Sequence, residues 1–111
     1  MSDDSTISVF NGDGKLLQIE YAFKAIRTSN LTSVAIRGEK CVAMVTEKKV
    51  QDKLLDAATC TNLYQITDHI GALTTGRQPD CIAIVQILRR EAADYYSTYG
   101  TEIPINHIAQ R

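Results

Sequence analysis

Apolar positions along this chain keep two rhythms. Ile19, Ala22, Phe23 and Ile26 fall at i, i+3, i+4 and i+7, one stripe of a helix, while Gln18, Glu20 and Lys24 lie away from it. Just upstream, Gly12 and Gly14 flank Asp13. Two residues free of a Cβ beside a short acceptor side chain make a sharp reversal. Residues 11–26 therefore read as a glycine-rich turn running into a short amphipathic helix, whose apolar stripe needs a surface to dock on. The strand rhythm follows. Residues 32–37 and 41–46 are β-branched runs either side of Gly38-Glu39-Lys40, which predicts a hairpin. Neither run alternates cleanly between polar and apolar, so both strands are expected to be covered on both faces. Residues 48–56 are charged and leave the sheet as a loop, and residues 63–67 and 70–75 flank Asp68-His69 as a second hairpin.

A long helix is predicted from Gln78-Pro79-Asp80 to Tyr99-Gly100. Pro79 has the φ of a first helical turn, and Asp80 complements the N-terminal dipole. Ile82, Val85, Ile87, Leu88, Ala92, Tyr95 and Tyr96 supply a broad apolar side; Arg89, Arg90, Glu91 and Asp94 supply the wet one. A last helix opens at Pro104 and runs to Arg111.

Composition narrows the chemistry. At 111 residues, 44% hydrophobic and 23% charged, the chain has room for one globular domain with a modest core. A formal net charge of -1, with both signs interspersed, gives no electrostatic case for nucleic acid or an anionic membrane. Arg89 and Arg90 beside tyrosines are read as a solvated helix face. No apolar run approaches the roughly 18 residues of a membrane span, and the acidic, polar start lacks the regions of a secretory signal, so an intracellular site is expected. Cys41, Cys60 and Cys81 are odd in number and lack a Cys-x-x-Cys pair, against both a disulfide framework and a zinc knuckle. Cys41 and Cys81 sit in apolar surroundings and are expected to be buried thiols. His69 and His107 fall on separate elements, so no Cys–His nucleophile pair is expected.

The spacing of Asn11, Asp13, Gly14, Leu16 and Glu20 invites a calcium loop. Its first ligand position is Val9, however, which offers no side-chain oxygen, and residues 5–10 are extended rather than helical. The same stretch carries a family likeness. Phe10, Gly14, Lys15, Gln18-Ile19-Glu20-Tyr21 and Ala25 resemble the N-terminal signature of the alpha subunits of the 20S proteasome. The likeness continues through Leu31-Thr32-Ser33-Val34-Ala35-Ile36-Arg37-Gly38, Lys48-Lys49-Val50, Asp52-Lys53-Leu54-Leu55-Asp56, Thr75-Gly76 with Asp80, and Tyr99-Gly100 with Glu102-Ile103-Pro104. Within the family these motifs are most similar to the alpha type six branch.

The resemblance implies an α+β fold, the N-terminal half of the four-layer αββα sandwich of N-terminal nucleophile hydrolases. Residues 1–10 would be an arm and residues 11–111 a partial alpha-type domain. A half-sandwich is expected to fold poorly without partners. The implied role is a non-catalytic structural subunit of the alpha ring, serving ring assembly and pore gating in ubiquitin-dependent protein breakdown, in cytoplasm and nucleus. Its partners would be the other alpha subunits of a hetero-heptameric ring, the beta subunits and activators; no cofactor or metal is implied. Catalytic beta subunits use an N-terminal threonine with an acid and a lysine. Those positions here read Leu31, Glu47 and Asn62, so no catalytic residue is expected.

The resemblance also places Asp4, Asn11 and Gly12 at the gate, and Phe10, Gly14, Gln18, Glu20, Tyr21 and Phe23 in the signature and ring packing. The aromatic-Asp-Arg trio of the gate falls on Asp3, Asp4 and Ser5, which keeps the Asp and loses its bidentate partner. The Ser-Pro before the signature glycine reads Asn11-Gly12, a more flexible turn. The activator pocket falls on Ser29 and Asn62. Asn62 brings no charge for a carboxylate, so capture there is expected to be weak. The competing reading is a shortened alpha-like protein acting outside the proteasome as a free binding or assembly-modulating module.

Overall fold

The computed structural model describes residues 10, 12–50 and 52–111. Among these the elements run α1 (Leu17–Arg27), β1 (Ser33–Arg37), β2 (Val42–Thr46), β3 (Leu63–Gln65), β4 (Gly71–Leu73), α2 (Gln78–Tyr99) and α3 (Ile105–Ala109). Helices and antiparallel hairpins together give the expected α+β class.

The turn before α1 closes where expected. Gly14 takes φ 75, in the region that suits glycine, and Phe10 pairs antiparallel with Leu16 across the loop. At the far end the Thr28 and Ser29 hydroxyls donate to the carbonyls of Lys24 and Ile26, both at 2.8 Å, which satisfies acceptors left open by the helix end.

β1 and β2 pair antiparallel, with Val34 opposite Val45 and Ile36 opposite Ala43 on one face, and Ser33 opposite Thr46 and Ala35 opposite Met44 on the other. The Ser33 and Thr46 hydroxyls meet at 2.7 Å. Gly38 N–H donates to the Cys41 carbonyl at 2.7 Å, so the reversal is a two-residue tip, Glu39-Lys40. Two expectations fail here. Cys41 is an exposed thiol rather than a buried one, because this hydrogen bond holds it at the hairpin tip, its sulfur lying over Gly38. The strands are also not covered on both faces: Val34, Ile36 and Val45 are 63%, 68% and 69% exposed. Nothing among the described residues lies over that face.

The β3–β4 hairpin turns at Asp68-His69 as expected, but the ladder is shorter than the apolar runs suggest. Ile66 and Thr67 N–H groups both donate to the Ile70 carbonyl, and that shared acceptor replaces a regular rung. Hairpin meets hairpin where the Met44 terminal methyl lies 3.6 Å from the position a Cβ would occupy on Gly71.

α2 keeps its predicted bounds. Pro79 sits in its first turn, and Gly100, at φ 71, caps the end by donating to the Tyr96 carbonyl at 2.8 Å. Its buried residues are Cys81, Val85 and Ala92; Ile82, Ile87 and Tyr96, expected on the covered side, are exposed. The apolar side of α2 is thus wider than the core it meets. α3 is shorter than expected. The core gathers Ala92, Ile103 and Ile108, with Ile66, Ile70, Leu88 and Tyr95 packed around them. Among the described residues, Val34, Ile36, Val45, Ile82, Ile87 and Tyr96 leave apolar side chains open to solvent.

Candidate functional site

Two surfaces carry the residues singled out above. The first is α1. Its stripe residues Ile19, Phe23 and Ile26 are 47%, 57% and 55% exposed, and Tyr21 and Phe10 are exposed beside them. A helix with an apolar stripe and a polar back lies here with the stripe open, the condition of a helix awaiting a partner surface. Gly14 shapes the turn into α1, and Gln18 sits half-buried in its first turn. Glu20 lies 3.9 Å from the Lys15 ammonium, so its carboxylate faces a cation of the chain itself, not an empty ligand position. Among the described residues, no group of three or more His, Cys, Asp or Glu is placed to hold a metal. Gly12 is exposed in the turn, and Asp4 and Asn11 lie outside the described residues, as does the arm apart from Phe10.

The second surface is a cleft of about 300 Å³ at the base of the first hairpin, whose walls include Leu31, Lys48, Lys49, Cys60, Asn62 and Gln78. Three pieces of chain converge on it. The Glu47 carboxylate accepts from Thr32 N–H at 3.4 Å, and the Glu47 N–H donates to the Thr32 carbonyl at 2.8 Å, which fixes Leu31 beside the strand ends. Lys49 donates to the Asn30 carbonyl at 3.2 Å and lies 3.8 Å from the Glu47 carboxylate; Lys48 donates to the Ala57 carbonyl. The Asn62 carbonyl accepts from Thr74 N–H at 2.9 Å, anchoring residue 62 to the second hairpin. Leu31 and Asn62 thereby line one cleft, with Glu47 bonded to Thr32 next to Leu31.

Their chemistry is limited. Leu31 has no nucleophilic atom, and neither histidine reaches the cleft: His69 is at the β3–β4 tip, and His107 packs on Tyr95 with ring centroids 5.2 Å apart. The cleft is nevertheless not uncharged. Lys48 and Lys49 bring positive charge to walls where Asn62 brings none. Ser29 is not among the lining residues; its hydroxyl is spent on the end of α1.

Sequence reasoning missed the side-chain ties that hold the second hairpin to α2 and to the link after it. Arg89 Nε donates to the Gln65 carbonyl at 2.9 Å, so Arg89 is a clamp as well as a surface charge. Gln78 donates to the Tyr64 hydroxyl at 2.9 Å, and His69 Nδ1 meets Glu102 Oε2 at 2.6 Å. Each spans 14 or more residues, so no local spacing could have announced it.

Residues 4–25 match the family described as the N-terminal signature of A-type proteasome subunits, and residues 27–111 match the proteasome subunit family. The chain belongs to the proteasome subunit family. The signature match takes in the turn and most of α1; the longer match takes in the cleft, both hairpins and both later helices. This proteasome-family chain is 42% identical over 108 residues to the probable alpha type-1 proteasome subunit of Schizosaccharomyces pombe, covering 97% of the chain and 44% of the relative. It is 35% identical over 108 residues to the alpha type-6 proteasome subunit of Caenorhabditis elegans, with the same coverages. It is 38% identical over 103 residues to the proteasome alpha subunit of Methanopyrus kandleri, covering 93% of the chain and 42% of the relative. The chain therefore spans less than half the length of these curated relatives.

Proposed function

We propose that this chain serves as a non-catalytic structural component of the alpha ring of the 20S proteasome core, with α1 as the element that packs on a neighbouring alpha subunit. The observation that carries this reading is the open stripe of Ile19, Phe23 and Ile26 on a helix most of which falls within the alpha signature match. In this reading residues 11–111 form part of an αββα sandwich, β1–β2 belonging to one sheet and β3–β4 to the other. The approach of Met44 to Gly71 between two separate hairpins supports that layering. Residues 1–10 would serve the pore, the beta ring would be the second neighbour, and the setting would be ubiquitin-dependent breakdown in cytoplasm and nucleus.

Absence of catalysis is argued from the cleft. A threonine-type hydrolase needs a hydroxyl activated by a free amine, and residue 31 is a leucine within a continuous chain, with Asn62 where a lysine is needed. Co-sedimentation of the tagged chain with 20S particles tests the ring reading, and fluorogenic peptide turnover with N-terminal sequencing tests the catalytic one. The large open surface also suits a second reading, a free module that occupies a neighbour's surface without entering the particle; it predicts binding to isolated alpha subunits and none to assembled 20S.

A further inference from the structure

Burial is distributed unevenly along this chain. The buried residues Cys81, Val85, Ala92, Ile103 and Ile108 all belong to α2, α3 or the link between them, and Ile66 and Ile70 of the second hairpin pack on that cluster. The ties of Arg89 to Gln65, Gln78 to Tyr64 and His69 to Glu102 close the same unit. α1 and the β1–β2 hairpin contribute no buried residue among those described. Their elements are also of kinds that stand poorly alone. α1 has 11 residues, short of the roughly 12–15 at which an isolated helix becomes even marginal in water. A two-stranded hairpin with an open apolar face is marginal at best.

We propose that the chain has two parts of unequal local stability: a core of β3–β4, α2 and α3, and a limb of α1 and β1–β2 that opens without disturbing the core. Local opening free energy follows buried contacts, and the limb has few. The limb meets the core at Met44 against Gly71 and along the cleft walls, contacts that a single hairpin opening can break and remake. A limb of this kind orders against a surface supplied to it. Its apolar side chains are fixed at the moment of docking, which lowers affinity per unit area and makes association reversible. The two-part character holds whether or not the supplied surface is a ring neighbour.

Amide hydrogen exchange on the whole chain tests this. Amides of residues 33–46 should exchange at least roughly a hundredfold faster than the slowest amides of residues 85–96, the signature of sub-global opening. Ile103→Ala should speed exchange in residues 85–96 and leave residues 33–46 unchanged, while Val34→Lys should leave residues 85–96 unchanged. Equal protection of the two parts, a parallel acceleration of both by Ile103→Ala, or no protection anywhere would each overturn the proposal.

Discussion

His69 Nδ1 lies 2.6 Å from Glu102 Oε2, joining the β3–β4 tip to the link after α2 across 33 residues of chain. The buried Ile103 follows immediately, so this pair sits at the rim of the core. Its side chains are 77% and 42% exposed, and an exposed pair contributes only about 0.2–1 kcal/mol however short the contact. A double-mutant cycle with His69→Ala and Glu102→Ala should give a coupling energy in that range, shrinking in about 1 M salt as screening sets in. A coupling several times larger would mean that the rim is drier than the structure shows.

Ile103→Ala should be far more damaging. Emptying a buried isoleucine site costs about 2–5 kcal/mol, and Ile103 is at the centre of a core with few other members. Far-UV circular dichroism should show lost helix and an earlier melt. Ile87→Ala, on the open side of α2, should stay within about 0.5 kcal/mol of the parent.

Thiol labelling should rank the cysteines by position. Cys41 at the hairpin tip should react first, Cys60 in the cleft wall second, and Cys81, buried in the first turn of α2, last. Mass spectrometry of a timed alkylation reads the order. Cys41 reacting as slowly as Cys81 would show the hairpin tip to be covered.

Lys48 and Lys49 line the cleft, and carboxylate capture there is a prediction of the activator-pocket expectation. In a ring containing this chain, Asn62→Lys should tighten an activator carrying a C-terminal carboxylate by about tenfold, the worth of a charge-assisted hydrogen bond. Lys49→Ala should weaken it. Fluorescence anisotropy with a labelled activator peptide, acid against amide, separates these cases, and no response to either substitution would show that the cleft receives nothing.

What could be read from residue order and what could not divide along local and non-local physics. α2 was legible because Pro79 and Gly100 act on their own turns, and the first hairpin because β-branched runs flank Gly38. The Asp68-His69 tip was legible for the same kind of reason, while the shortened ladder around it depends on which N–H groups reach the Ile70 carbonyl. Burial was misjudged at Cys41, Val34, Ile36, Ile82 and Ile87, since apolar character states a preference for cover and not whether cover is present. Leu31 and Asn62 line one cleft, while Glu47 stands beside it, bonded to Thr32. That Lys48 and Lys49 line the same cleft was not foreseen, because a charged loop gives no sign of where it folds back.

The central claim, that α1 is a docking helix for a sibling subunit, is tested most directly by photocrosslinking from a benzoylphenylalanine placed at Phe23 in cells. The account predicts a discrete adduct with another proteasome alpha subunit, lost when Ile19 and Ile26 are both changed to aspartate. Adducts with no proteasome component, or a crosslink to an alpha subunit that those substitutions leave undiminished, would contradict it.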